Sequence, residues 1–296
     1  MTVRLRRSAL FVPASNPRAL EKARGLACDL VVLDLEDAVA PEAKAEARAR
    51  AVQAIAAGGF APRELIVRCN GLDTPWGAAD LAALAQAGAD GVLAPKVRGP
   101  AELAAYEAAL AAAPAATRLW AMIETAAAVF ALEPIAGLGA GGRLEGLVLG
   151  LNDLAQEMGA RLTPDRAPFQ AAMSLTVLAA RAHGLAALDA VFNGLDDAEG
   201  LAAACRQGAD FGFDGKCLIH PAQIEACNTA FGPSADEVAA ARRLIAAFAE
   251  PQAQGQGAIR VDGRMAEALH LRRAERTVAL AEAIAGRPVA SAVVAE

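Results

Sequence analysis

Eight short apolar runs, each followed by an alanine-rich stretch, are the feature that most restricts how this chain can fold. The runs cover residues 9–13, 30–35, 65–69, 91–94, 119–123, 146–149, 187–191 and 211–217. Continuous apolar strands separated by helices are typical of a parallel sheet that is buried on both faces. An open doubly wound sheet could show the same alternation, but eight units of about 30 residues each favour closure. The sequence therefore predicts a (β/α)8 TIM barrel.

The pattern changes after the eighth run. A polar, Gln- and Gly-rich stretch at residues 251–257 indicates a linker. Helical patterns cover residues 224–231, 236–248 and about 265–285, and a hairpin-like piece covers 258–264. This part is too thin to bury a core of its own. We therefore predict a barrel domain over residues 1–232 and a C-terminal helical extension over 233–296, packed on the barrel or on a neighbouring subunit.

Composition and charge exclude several classes of function. The chain carries a formal net charge of −6 and has no basic stretch interleaved with aromatics, which argues against a nucleic-acid surface. No apolar run is long enough to span a bilayer, and the one near the N-terminus is too short for a signal peptide. The five cysteines are odd in number and form no CxxC pair, which is typical of reduced thiols. We therefore expect a cytoplasmic protein that contacts neither nucleic acid nor membrane.

Polar residues collect at the carboxyl ends of the predicted strands, where TIM barrels place their catalytic groups. They are Asp34, Glu36 and Asp37 on the second unit, Arg68 on the third, Lys96 on the fourth, Glu124 on the fifth, Asn152 and Asp153 on the sixth, and Asp214, Lys216 and His220 on the eighth. Taken singly, each acid could be an ordinary helix cap and Lys96 a solvated loop residue. Arg68 interrupts a buried strand and needs a partner there, either a structural salt bridge or a substrate.

The combination of these residues indicates more than any one of them does. Carboxylates from the second, fifth and sixth units would converge on one mouth, where like charges oppose ionisation unless a cation is present. Mg²⁺ would resolve this conflict, because it binds one or two carboxylates together with water and substrate oxygens. Arg68 beside the ion could hold a carboxylate or a keto acid in a bidentate fork. These groups suit a reaction in which negative charge develops on a carbonyl-derived oxygen.

Seven ordered segments carry a family resemblance. They are "RSALFVPASNPRALEKA", "VVLDLEDAVAPEAKAEAR", "VRCNGLDTPWGAADL", "VLAPKV", "AMIETAAAV", "LGLNDLA" and "GFDGKCLIHPAQIEACNTAF". Together they resemble the citrate lyase β-subunit family of the HpcH/HpaI aldolase group, which includes malyl-CoA and citramalyl-CoA lyases. The resemblance implies a TIM barrel whose C-terminal extension reaches a neighbouring subunit in a trimer or hexamer. It also implies Mg²⁺-dependent chemistry at a carbon–carbon bond next to an acyl thioester.

The resemblance assigns roles to individual residues by position. Glu124 and Asp153 resemble the direct metal ligands, and Arg68 resembles the residue that grips the keto acid and polarises its carbonyl. Glu36 and Asp37 resemble the outer group that holds metal-bound waters and orients Arg68. The positions that match the family's CoA contacts are Phe11, Arg18, Lys44 and Pro221.

The C-terminal motif departs from the family. The stretch "VDGRMAEAL" places Glu267 where an aspartate that enters the neighbouring active site is expected. Glu267 could still act as a general acid or base, although its reach differs by one methylene. This departure argues against thioester hydrolysis and malate-synthase-type condensation.

The expected function is therefore Mg²⁺-dependent cleavage or formation of a 3-hydroxyacyl-CoA. Citryl-, malyl- and citramalyl-CoA are all compatible, with acetyl-CoA and a 2-keto acid as the products of cleavage. Two alternatives stay open. One is an aldolase that acts on free 2-keto acids without CoA, and the other is a β subunit that is active only within a citrate lyase complex.

Overall fold

The eight predicted strands close into a parallel barrel. The computed structural model describes residues 4–250 and 256–287. The barrel strands are β1 Ser8–Pro13, β2 Leu30–Asp34, β3 Glu64–Arg68, β4 Gly91–Ala94, β5 Arg118–Ile123, β6 Leu144–Leu149, β7 Ala186–Asp189 and β8 Gly215–Leu218. They follow one another around the sheet in chain order, and β8 pairs with β1 to complete it. The prediction of a (β/α)8 TIM barrel is confirmed.

Helices connect the strands. They are α1 Pro17–Ala23, α2 Lys44–Ala57, α3 Gly77–Ala87, α4 Pro100–Ala109, α5 Ala126–Phe130, α6 Leu132–Ala136, α7 Leu151–Met158, α8 Gln170–Ala182, α9 Ala198–Phe211 and α10 Ile224–Ala230. Side-chain caps begin several of them: Asn16 accepts the Ala19 amide at α1, and Thr125 accepts the Ala128 amide at α5.

The eighth predicted run begins four residues too early. Residue 211 is the last of helix α9, which ends at Gly212 with a φ of 94°. Such a left-handed conformation is open to glycine at little cost and is a common helix ending. Strand β8 starts only at Gly215, so Asp214 lies before the strand, at the amino end of the barrel.

The barrel interior is an apolar core that ends in polar residues. Its buried members are Ala9, Leu30, Val32, Ile66, Leu93, Trp120, Met122, Val148, Ala186, Leu188 and Cys217. Side chains alternate along a strand, so the next inward positions on β2, β3 and β5 are Asp34, Arg68 and Glu124. The same alternation that fills the core therefore delivers charged groups to the carboxyl end.

The C-terminal part, from Thr229 onward, forms a second compact unit that also includes Arg4 and Leu5. It contains α11 Ala235–Ala249, the antiparallel pair β9 Ala258–Val261 and β10 Arg264–Glu267, and α12 Ala268–Ala285, which packs against α11. The predicted hairpin is present and extends to Glu267. Residues 251–255 of the predicted linker lie outside the described residues. The predicted boundary after residue 232 and the packing of the extension stay predictions.

Two further observations concern membrane spans and cysteines. Over the described ranges, no helix is both long enough and apolar enough to cross a membrane. All five cysteines are buried as thiols.

Candidate active site at the carboxyl end of the barrel

A cavity of about 360 Å³ opens where the predicted polar residues end their strands. Its polar lining residues are Asp34, Asp37, Arg68, Glu124, Asn152 and Asp153, and its apolar ones include Phe11, Met122, Leu149, Val191, Cys217 and Ile219. The structure thus brings the predicted residues of β2, β3, β5 and α7 to one place. An apolar lining with a few convergent charged groups is typical of a small-molecule site.

Asp34 and Arg68 form a bidentate ion pair at the floor of this cavity. The Nε and Nη2 atoms of Arg68 donate to the two carboxylate oxygens of Asp34 at 2.7 and 2.6 Å. Asp34 is 1% exposed and also accepts the backbone N–H groups of Glu36 and Ala38. Burial alone would lower the pKa of Arg68, but the adjacent Asp34 carboxylate raises it. Arg68 is therefore a fixed cation with a set orientation.

The role of Asp34 did not follow from the sequence motif. Asp34 and Arg68 are partners in the parallel register of β2 and β3. Since both positions point inward, this register is the signal that would have found the pair. Without the register, the segment "LDLED" does not show that Asp34, and not Glu36 or Asp37, is the main partner of Arg68.

Glu36 and Asp37 extend the charged cluster toward solvent. Glu36 Oε2 lies 3.0 Å from Arg68 Nη1, and Asp37 Oδ2 lies 3.7 Å from the same nitrogen. Lys96 also reaches this group, with its Nζ atom 2.5 Å from Glu36 Oε1 and 3.0 Å from Asp37 Oδ1. Lys96 is thus an ion-paired member of the site rather than a solvated loop residue.

Glu124 is a buried acid with one oxygen left free. Glu124 is only 1% exposed, and its Oε1 atom accepts the backbone N–H of Lys96 at 2.7 Å. Oε2 has no hydrogen-bond partner within the part of the chain that the structure describes. Burial, together with the charges of Glu36 and Asp153, raises the pKa of Glu124 to about 8. An unpartnered buried carboxylate oxygen is costly and calls for a bound cation or donor.

Gly150 and Asp153 complete the surroundings of Glu124. Asp153 sits in the first turn of α7 with its side chain 34% exposed. Gly150 packs so closely that a Cβ there would lie 2.6 Å from both Cβ and Oε2 of Glu124. The missing side chain at position 150 therefore leaves room for the carboxylate.

The donor set fits a magnesium ion better than a structural zinc ion. Five carboxylates, from Asp34, Glu36, Asp37, Glu124 and Asp153, face the two cations Arg68 and Lys96. No group of three or more His, Cys, Asp or Glu placed to hold a metal occurs within residues 4–250 and 256–287. A site with two carboxylate ligands and otherwise water or substrate oxygens is what Mg²⁺ accepts, whereas structural zinc uses four N or S ligands.

The predicted CoA residues are spread around the mouth. Phe11 lines the cavity, with its ring centroid 5.1 Å from Arg68 Cζ. Arg18 is exposed in the first turn of α1, and Pro221 begins a short 3₁₀ turn after β8. Lys44 is 6% exposed, and its Nζ donates to the carbonyl oxygens of Leu35 and Glu36 at 3.0 and 2.8 Å.

The remaining predicted residues do not line the cavity. Asp214 pairs with Arg181 at the amino end, and Lys216 points away from the core and bonds Asp189 at 2.8 Å. His220 caps the 3₁₀ turn, accepting the Ala222 amide. The expectation that strand eight delivers these side chains to the mouth is wrong for Asp214 and Lys216, which are committed to structural ion pairs. His220 follows β8 at the carboxyl end, but its side chain is committed to the turn. Glu267, in the second unit, ends β10, and its N–H donates to His270 Nδ1 at 3.0 Å.

Comparisons with known proteins agree with this fold. The family model described as HpcH/HpaI aldolase/citrate lyase matches residues 7–221. A (3S)-malyl-CoA thioesterase of Cereibacter sphaeroides strain KD131 is 51% identical over 279 residues, 94% of this chain and 95% of the relative. An L-malyl-CoA/beta-methylmalyl-CoA lyase of Cereibacter sphaeroides strain ATCC 17025 is 36% identical, over 94% of this chain and 95% of the relative. The crystal structure of CitE from Mycobacterium tuberculosis in complex with magnesium, acetoacetate and coenzyme A superposes with a TM-score of 0.77 and 32% identity, covering 95% of this chain and 100% of that one.

Proposed function

The chain belongs to the HpcH/HpaI aldolase/citrate lyase family, and we propose that it is a magnesium-dependent lyase of 3-hydroxyacyl-CoA thioesters. Malyl-CoA is the proposed substrate, and acetyl-CoA and a 2-keto acid are the proposed products of cleavage. The observation that carries the proposal is the free, buried Oε2 of Glu124, which shares one cavity with Asp153 and the fixed Arg68.

Glu124 and Asp153 would hold the magnesium ion directly. Glu36 and Asp37 would hold its bound waters, since both carboxylates lie at the same mouth. When bound, the ion supplies positive charge that stabilises oxygen anions of the substrate. The magnesium in the CitE complex of Mycobacterium tuberculosis supports the choice of the ion.

Protein side chains would carry out the proton transfers and stabilise the developing negative charge. In cleavage, the hydroxyl proton passes to a base and the hydroxyl carbon becomes the carbonyl carbon of the 2-keto acid. The electron pair of the broken carbon–carbon bond moves to the α-carbon of the acetyl thioester, which then takes a proton. Arg68, held in place by Asp34, donates hydrogen bonds to the substrate oxygen on which negative charge develops. Glu267 is the acid or base that we propose for proton transfer, supplied by a neighbouring copy in a trimer or hexamer.

The CoA moiety would lie across the mouth. Phe11 would contact it directly, because its side chain lines the cavity. Arg18 could meet phosphate from its exposed position, and Pro221 could contact the thioester arm. Lys44 would have to give up hydrogen bonds to two backbone carbonyls before its ammonium could meet CoA.

Hydrolysis of the same thioester is a second candidate. The relatives named (3S)-malyl-CoA thioesterase reach 51% identity, compared with 36% for the malyl-CoA lyase. Water would attack the thioester carbonyl, releasing malate and free CoA thiol, and Arg68 would serve the same oxyanion role. The glutamate at position 267, in place of the expected aspartate, is the sequence argument against hydrolysis. The names of these relatives do not support that argument.

A product analysis with purified protein tests both candidates. Malyl-, citramalyl- and citryl-CoA would be offered with Mg²⁺, with EDTA, and with Mg²⁺ restored after EDTA. We expect activity that EDTA abolishes and Mg²⁺ restores. Glyoxylate and acetyl-CoA from malyl-CoA would support the lyase, whereas malate and free thiol would support the hydrolase. Activity unchanged by EDTA would contradict the metal-dependent proposal. Turnover only after carrier and transferase subunits are added would support the citrate lyase complex instead.

The contact between Gly150 and Glu124 gives a prediction for Gly150→Ala. The added Cβ would overlap Glu124, so the carboxylate must move or the strand end must shift. We expect a loss of about 1–3 kcal/mol in the free energy of unfolding, as for overpacked sites. We also expect weaker Mg²⁺ binding, measured by calorimetric titration.

Gly99→Ala is the matched control for this prediction. A Cβ at Gly99 meets no heavy atom within 4 Å, and its φ of −177° suits any residue. Equal stability and Mg²⁺ affinity in the two variants would show that the close contact at Gly150 is unimportant.

A further inference from the structure

Lys96 lies among the acids of the proposed magnesium site. Its Nζ atom is 2.5 Å from Glu36 Oε1, 3.0 Å from Asp37 Oδ1 and 3.8 Å from Asp153 Oδ1. Its side chain is 44% exposed, so solvent reaches it on its outer side. A monovalent cation therefore lies against three of the five carboxylates that would also attract a divalent ion.

The backbone of Lys96 is held in an uncommon conformation. Its φ is 48°, in the left-handed region that residues with a side chain rarely adopt. In this conformation its N–H donates to Glu124 Oε1 at 2.7 Å, while its side chain reaches Glu36 and Asp37. Such backbone outliers concentrate at functional sites. One residue thus contacts a proposed metal ligand through its backbone and the outer acids through its ammonium.

We propose that the Lys96 ammonium is a tethered counter-ion that competes with the divalent metal for this carboxylate cluster. In the metal-free enzyme it offsets part of the repulsion among Glu36, Asp37 and Asp153. When a divalent cation binds beside Asp153, the two positive centres repel, and the side chain must move toward solvent. Lys96 therefore weakens magnesium binding and stabilises the metal-free form. The inference rests on the proposed function, since it requires a divalent cation at Glu124 and Asp153.

Two variants separate the side chain of Lys96 from its backbone. Lys96→Gln removes the charge and retains most of the length. Lys96→Gly removes the side chain, keeps the N–H that Glu124 accepts, and tolerates a φ of 48° without strain. Arg98→Gln is the matched control. Arg98 lies two residues after Lys96 and pairs with Glu102 on the surface, so this variant also removes one positive charge.

The measurement is calorimetric titration of MgCl₂ into EDTA-treated, dialysed full-length protein, with circular dichroism to confirm folding. We expect both Lys96 variants to bind Mg²⁺ about tenfold more tightly than the wild type, the electrostatic gain being limited by solvent screening. Arg98→Gln should stay within about twofold of the wild type, since its charge is exposed to solvent and paired with Glu102. We also expect the metal-free Lys96→Gln protein to melt at a lower temperature and to gain more from added Mg²⁺.

Unchanged or weaker Mg²⁺ binding in both Lys96 variants would overturn the counter-ion role. Weaker binding would instead mean that Lys96 supports the metal ligands. If Lys96→Gln does not fold, Lys96→Gly carries the test alone. Failure of the wild-type protein to bind Mg²⁺ at all would overturn the proposed function itself, so the two failures are distinguishable.

Discussion

Glu124→Gln is expected to abolish magnesium-dependent turnover, with a loss on the order of 10³-fold or more, as for removal of a charge-stabilising group. Glutamine keeps the shape of the side chain and can still accept the Lys96 N–H. It cannot supply the negative charge that a hard cation requires. Steady-state assays with malyl-CoA and saturating Mg²⁺ would measure this loss.

The same variant is expected to be more stable than the wild type at alkaline pH when no metal is present. An unfolded glutamate loses its proton near pH 4.5, whereas the folded Glu124 keeps it until about pH 8. Between these values the folded state binds more protons than the unfolded state, so the stability of the wild type falls as pH rises. Glutamine has no such proton to lose. A rise in pKa of this size corresponds to at most about 5 kcal/mol, present in full only above pH 8.

Urea denaturation of both proteins in EDTA, from pH 5 to pH 9, would measure this difference. We expect nearly equal stability at pH 5 and a growing advantage for Glu124→Gln up to about pH 8. Glu157→Gln is the matched control, because Glu157 is an exposed glutamate that accepts the N–H of Ala126, two residues after Glu124. A constant difference across the range would show that Glu124 does not hold its proton in the folded state.

Loss of Arg68 is expected to damage both stability and activity. Arg68→Ala would leave Asp34 buried and negatively charged without its ion-pair partner. Breaking a buried pair in this way costs about 3–5 kcal/mol. Arg68→Lys restores a charge but not the two parallel hydrogen bonds of the guanidinium, so we expect it to recover stability only in part.

Activity separates the structural and catalytic effects of Arg68. If Arg68 stabilises the developing oxyanion, Arg68→Lys should lower turnover by on the order of 10²- to 10³-fold under conditions in which it is fully folded. Arg98→Lys is the control, because it makes the same exchange of arginine for lysine on the surface. A folded Arg68→Lys enzyme with near wild-type turnover would remove Arg68 from the mechanism.

The sequence predicted the barrel because its period is repeated in every unit. Strand β4 was predicted at its observed bounds, and most other bounds differ by one or two residues. The end of α9 was missed because an apolar Phe211 continues the pattern into the turn, and only Gly212 marks the break. A local pattern identifies the type of an element better than its end.

The site was predictable as a set of strand ends but not as a network. Position relative to the strands located Arg68, Glu124 and Asp153 at one mouth. The pairing of Asp34 with Arg68 depends on strand register, and the reach of Lys96 depends on a left-handed backbone at one residue. Neither is encoded in a motif of a few letters. For the same reason Lys216 could not be recognised as a buried structural cation.

Met122 has a consequence for how this enzyme could acquire new substrates. Its sulfur lies 3.7 Å from Arg68 Nη1, inside the cavity and directly below the charged groups. A thioether on an unbranched chain adapts its shape at little cost. Arg68 is fixed by its ion pair with Asp34, whereas the Met122 side chain can deform. Evolution or a protein engineer could therefore change the preferred acyl group at position 122 while leaving the reaction machinery intact.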